Sequence, residues 1–293
     1  MENRWKTFLD SDVLKMIAVV TMLIDHIGAV IIWNLFSVVT AENYAVLEQV
    51  YHIFRNIGRT AFPIFAFLLV EGFFHTHSRK KYFGRLALFA VLSEIPFDMA
   101  FHGMPSYGED QNVFWTFCIG FLVIWGLERL YEVYASGSEI LKRNKERRKR
   151  RTDRALRNHS VDLKSLDRQW ASDHYEIRME AGYPMGLIFS ALWLVLAGVW
   201  MASVMQVDYG VYGFLLILLF YLGEHGNVPR IVICVCGYLL FLWEPYCLGG
   251  FFLILFYNGQ RKQRGKGFQY FFYLFYPLHL MILGFIRVAF WPV

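Results

Sequence analysis

The side chains with most chemical potential in this sequence lie inside apolar stretches. Residues 14–27, LKMIAVVTMLIDHI, are apolar along most of their length but carry Lys15 near one end and Asp25 and His26 near the other. Ionisable groups within such a helix are costly and mark candidate functional positions. Lys15 and His26 are eleven residues apart, so on an α-helix they share nearly one face, about 16 Å apart along the axis. A neutral imidazole deep in the membrane can take a proton from an attacking amine or hydroxyl, as general-base acyl transfer requires. A histidine hydrogen-bonded between helices is the plain alternative. Asp25 adjoins His26, but neighbours on a helix do not face each other. Asp25 stays among the catalytic candidates and is expected to reach a different helix, where it can capture a cation.

Other ionisable groups fall at similar depth. Glu94 and Asp98 are four apart around Pro96, on one face of a helix that the proline can bend. They can orient His26, bind an amine, hold a proton relay, or pair with Arg59. Lys15, Arg59 and Arg85 are fixed cations suited to a cofactor's phosphates, and a coenzyme A donor carries several such charges. Lys15 can also snorkel to lipid headgroups. Asn112, Asp208, Tyr276 and His279 are candidates for binding substrate. Asp208 equally suits a helix N-cap, and Tyr276 and His279, three apart beside Pro277, equally suit hydrogen bonding between helices. Glu71, His75 and His77 cluster at the inner end of their span. The cysteines, Cys118, Cys234, Cys236 and Cys247, lie in or beside apolar spans; neither a disulfide framework nor a metal site is expected.

These groups need elements to position them. Of the 293 residues, 56% are hydrophobic and 18% aromatic, and apolar runs recur at lengths that cross a bilayer. The expected fold is all-α, a polytopic transmembrane bundle forming one domain over residues 1–293. Spans are expected at residues 13–33, 59–77, 82–100, 113–133, 183–205 and 208–224. Two short segments follow at 229–243 and 246–257, then a last span at 268–290. A polar segment separates the first two spans. Residues 136–182 form a hydrophilic insertion in which residues 142–157 hold ten Lys/Arg against Glu146 and Asp153.

Lys/Arg clusters set orientation. The N-terminal tail, residues 79–81, residues 142–157 and residues 261–266 all fall on one side if there are nine segments, which puts the N-terminus in the cytoplasm. The basic insertion is then a solvated segment held at anionic lipid, and the formal charge of +5 is no sign of nucleic-acid binding. No cleavable signal is expected, because Asp25 and His26 interrupt the first apolar run.

The blocks LKMIAVVTMLIDHIG, GRTAFPIFAFLLVEGF, YFGRLALFAVLSEIPFD, NVFWTF, DYGVYGFLLILLFYL and FFYLFYPLHL together resemble the TraX family of bacterial membrane proteins. That resemblance implies acetylation of pilin N-termini with acetyl-CoA as donor. The opening helix is also similar to that of membrane acyltransferases of surface polysaccharides, in which Leu-Arg-x-Ile-Ala precedes a histidine eleven residues after the arginine. Here Lys15 takes the arginine's place and lacks its bidentate fork; Glu71-Gly72-Phe73 stands for that group's Ser-Gly-Phe, and the basic motif around Arg85 is incomplete.

The expected function is therefore acetyl transfer in a bacterial inner membrane, with His26 as base and a pilin or glycan acceptor outside. A proton-coupled transporter would use the same buried groups as a relay, although paired inverted repeats with broken helices are not evident. A non-catalytic scaffold would leave the buried ionisable groups without a role.

Overall fold

The computed structural model describes residues 9–135, 146, 185–260 and 266–291. The N-terminal tail, the hydrophilic insertion at 136–182 apart from Glu146, and residues 261–265 of the basic cluster lie outside the described residues. Among the described residues the fold is a bundle of helices, with two isolated bridges as the only extended pairing.

Helix α1, Ser11–Ile27, begins where the Asp10 carboxylate accepts the Asp12 and Val13 backbone N–H groups, which satisfies orphan donors of the first turn. It runs on through a π-helical stretch, Gly28–Ile32, into a last turn, Trp33–Leu35. Helix α2, Ala41–Gly58, returns along this extension, with Phe36 against Tyr44 and Trp33 against Tyr51. The polar segment expected here is therefore helical. Its less exposed residues, Leu47, Val50, Tyr51, Phe54, Arg55 and Gly58 among them, recur at helical spacing; Glu42 and Glu48 are exposed, whereas Arg55 turns to α1.

A bend at Arg59 and Thr60 leads into α3, Ala61–His75. Helix α4, Arg79–His102, opens on Ser78, whose hydroxyl accepts the Lys81 N–H, and stops at Gly103 with φ 77°, a left-handed cap that favours glycine. The basic cluster at residues 79–81 is thus the first turn of this helix. Helices α5 (Val113–Ala135), α6 (Met185–Val204), α7 (Gly210–His225), α8 (Arg230–Leu240), α9 (Leu248–Leu255) and α10 (Lys266–Phe290) complete the order.

Among the described residues, five helical stretches are long and apolar enough to cross a membrane: Ser11–Leu35, Ala41–His75, Val113–Tyr134, Met185–Val204 and Tyr270–Phe290. Helix α4 has the length, 24 residues, but carries Arg85, Glu94 and Asp98 between its ends. Helices α7, α8 and α9 are shorter.

Contacts fix the direction of each helix. Tyr273 meets Phe89 and the Gly284 backbone meets Met99, so α10 runs parallel to α4. Lys15 lies over Phe272, and His26 meets His279, so α1 runs with them. Phe62 packs on both Phe117 and Tyr209, and Phe73 meets Phe121 and Tyr221. Helices α3, α5 and α7 therefore run together in the opposite sense.

At the starting end of α1, Leu9 exchanges backbone hydrogen bonds with Phe256 and Asn258, and Ser11 donates to the Gln260 carbonyl. At the other end Gln111 exchanges them with Gln206 and Asp208. Helices α8 and α9 form a hairpin between these levels: Arg230 donates to the Tyr257 carbonyl at its base, and Glu244 at its tip meets Arg59.

Candidate functional site

The centre of the site is a pair of histidines from the first and last helices. His26 Nδ1 lies 2.7 Å from His279 Nε2, and His279 Nδ1 lies 2.7 Å from the Phe275 carbonyl oxygen. Phe101 and Tyr276 present ring edges to His26, at centroid distances of 5.4 and 6.0 Å. Both histidines are buried. They meet because α1 and α10 run parallel, and because His279 sits one turn from Tyr276 on a helix carrying Pro277.

Among the described residues no carboxylate is hydrogen-bonded to His26; an imidazole takes that place. Glu94 accepts the Trp115 indole N–H at 2.7 Å and a shorter hydrogen bond from the Asn112 side-chain amide. Asp98 accepts the Tyr107 backbone N–H at 2.8 Å. Both acids thereby tie α4 to the following loop and to α5. Asn112 is fully buried. Its amide N–H₂ donates to the Ala90 carbonyl and to Glu94, while its oxygen accepts the Phe114 N–H. It secures the start of α5 rather than offering polar atoms to a substrate.

Asp25 does leave His26 and find a cation on another helix, Arg55 on α2, at 2.7 Å. The approach is close: a Cβ at Gly58 would stand 2.1 Å from the Asp25 Cβ. Arg59 pairs with Glu244 at 3.1 Å, so neither the salt bridge to Glu94 and Asp98 nor a place beside Lys15 and Arg85 is realised. Asp208 lies in the turn before α7. Its carboxylate accepts the Tyr209 N–H, its carbonyl accepts the Thr116 hydroxyl, and the N-cap of α7 is Tyr209, with φ 62°.

Lys15 and Arg85 share one cavity of about 470 Å³, within the range of small-molecule sites. Its lining starts at Ser11, Lys15 and Arg85, near the beginning of α1, and ends at Val113, Phe114 and Tyr276. Between these ends the walls are largely apolar, with Met22, Leu69 and Phe117 among them. Lys15 is 3.4 Å from Asp12, and the Arg85 guanidinium lies over Tyr82 and Tyr273. Neither histidine lines the cavity; Tyr276 stands between it and His26. Among the described residues the buried Tyr276 hydroxyl has no hydrogen-bond partner.

A second buried constellation was not singled out from the sequence. The Tyr221 hydroxyl donates to Glu128 at 2.8 Å, and His225 Nε2 lies 2.9 Å from the same carboxylate oxygen. Arg79 stands 4.0 Å from the other oxygen. The signal was present, since Glu128 is an acid inside an apolar run, like Glu94. Among the described residues no group of three or more acids, histidines or cysteines could hold a metal ion.

The family model described as "TraX protein" matches residues 10–136 and 179–287. The chain is 30% identical over 123 residues to the "Probable fimbrial assembly protein FimC, serogroup H1" of Dichelobacter nodosus. That alignment covers 38% of this chain and 43% of that protein, so the chain spans less than half of this curated relative. No solved structure matches.

Proposed function

We propose that this chain, which belongs to the TraX family, is a membrane-embedded acyltransferase that moves an acetyl group from acetyl-CoA to an amine or hydroxyl acceptor. One observation carries the reading: a single cavity joins two cations at the starting end of α1 to Tyr276, which packs on His26. Lys15 and Arg85 suit the nucleotide phosphates at the mouth. The apolar walls suit an extended thioester arm, which would bring the carbonyl to Tyr276. Tyr276, which lines the cavity and packs on His26, then stands beside the reacting carbonyl.

His26 acts as general base. The acceptor's nitrogen or oxygen forms a bond to the acetyl carbon while its proton passes to His26. The carbon–sulfur bond breaks, coenzyme A leaves as thiolate, and the proton returns to that sulfur. With the N-terminus cytoplasmic in a bacterial inner membrane, donor enters from the cytoplasm and acceptor from outside. The relative named as a fimbrial assembly protein supports a pilin N-terminus as acceptor; a surface glycan has the same chemistry.

The test is turnover of radiolabelled acetyl-CoA by protein in lipid nanodiscs, wild type beside His26→Ala. The expected result is hydrolysis or exchange in the wild type that falls by about 10²–10⁴-fold in a folded mutant. Equal turnover in both would remove His26 from the chemistry. Absence of acetyl-CoA binding, with solute uptake driven by a pH gradient, would replace the reading with a proton-coupled transporter.

A further inference from the structure

We infer that His279 is a positioning residue that fixes which nitrogen of His26 is basic. A carbonyl oxygen has no proton to give, so the 2.7 Å contact from His279 Nδ1 to Phe275 requires a proton on Nδ1. In a neutral imidazole the other nitrogen then holds a lone pair. That nitrogen, His279 Nε2, faces His26 Nδ1 at 2.7 Å, and the proton between them must belong to His26. His26 Nδ1 is thus the donor, and His26 Nε2 is left bare to receive a proton.

Ring geometry supports this assignment. The two imidazoles are inclined by only 6° with centroids 5.0 Å apart. The nitrogen–nitrogen contact makes up most of that separation, so the rings lie end to end in nearly one plane. An N–H then points along the neighbour's lone pair, the arrangement hydrogen bonds favour.

A backbone carbonyl and a second imidazole here perform the orienting task that a buried carboxylate performs in hydrolytic triads. They do so without adding a negative charge at membrane depth, where it would be costly. When His26 Nε2 takes the acceptor's proton, His26 becomes an imidazolium whose Nδ1–H still donates to His279, so the cation forms already hydrogen-bonded. The catalytic use of this arrangement rests on the acyltransferase reading; the tautomer does not.

Nitrogen-15 NMR of histidine-labelled protein in nanodiscs tests the tautomer directly, with the His26 signals identified by their loss in His26→Gln. The expected wild-type spectrum shows His26 protonated on Nδ1 and bare on Nε2. His279→Leu should release His26 into the Nε2–H form or a mixture. His279→Asn, whose amide oxygen can accept the same hydrogen bond, should restore the wild-type pattern. Acetyl-CoA turnover should fall by about 10²-fold in the leucine variant and recover in the asparagine variant.

A wild-type His26 protonated on Nε2 overturns the inference, as does an unchanged tautomer in folded His279→Leu. If the leucine variant does not fold, the wild-type spectrum alone decides. Wild-type protein with the expected tautomer but no acetyl-CoA binding would sink the acyltransferase reading and leave the tautomer standing.

Discussion

Asp25 reaches Arg55 while His26, one residue on, reaches His279. The α-helix turns each residue by about 100° from the last, so adjacent polar groups are sent to different partners. The Asp25 carboxylate is buried, and among the described residues its second oxygen has no hydrogen-bond partner, so it depends on its cation. Arg55→Ala should cost about 2 kcal/mol of stability in detergent unfolding, less than a fully buried pair would lose, because the arginine side chain keeps 21% exposure. Asp25→Asn in that background should restore part of the loss, and a double-mutant cycle with no coupling would show the pair to be inert.

Lys15 and Arg85 are expected to act on binding. Replacing either by alanine should raise KM for acetyl-CoA by about 10-fold, the loss of one charge-assisted hydrogen bond, with little change in kcat. A fall in kcat alone would place them in the chemistry instead. At this scale the sequence shows which residues are costly to bury, since Lys15, His26, Glu94 and His279 all interrupt apolar runs. It does not show their partners. Glu94 and Asp98 offered the nearest carboxylates by depth, but the pairing of α1 with α10 supplied a histidine, and that pairing depends on packing between helices 253 residues apart in sequence at the contact.

Among the elements, the α1–α2 pair is held by a close approach at Gly58. Its Cβ position is occupied by the Asp25 side chain, so Gly58→Ala should lower stability by about 1–3 kcal/mol through overpacking and disturb the Asp25–Arg55 contact. Gly84 lies inside α4 with nothing within 4 Å of its Cβ position. Gly84→Ala should be neutral or raise stability by up to about 1 kcal/mol, the ordinary helix preference. Apparent melting temperatures of the two variants in one detergent provide the comparison, and equal effects would contradict the packing argument. Helix α2 was hard to see in the sequence because Glu42, Glu48, His52 and Arg55 lower its mean hydropathy below that of a span. Its apolar stripe only becomes apparent once the period of 3.6 is applied.

Across the whole molecule, alternating helix directions bring the Leu9–Asn258 contact to one end and the Gln111–Asp208 contact to the other. In a cysteine-free background, Ser106→Cys should react with an impermeant maleimide added to intact cells, whereas Gln260→Cys should react only after permeabilisation. Reaction of both from outside would break the assigned orientation. The helical bundle was legible because lengths of apolar runs are local properties. The hairpin of α8 and α9 was legible only as two short segments. Its seating depends on Glu244 meeting Arg59 and on the backbone tie to Leu9, neither of which leaves a pattern in composition.

That His26 is made 253 residues before His279 has a consequence for biogenesis. The ribosome delivers α1 to the membrane long before α10 exists, and Leu9 must wait for Phe256 before its backbone can pair. Until the last helix leaves the translocon, His26 lacks the neighbour that orients it and the cavity lacks the wall that Phe272, Tyr273 and Tyr276 provide. A chain that stops before α10 therefore cannot assemble the site, and the arrival of that helix is the event that completes it.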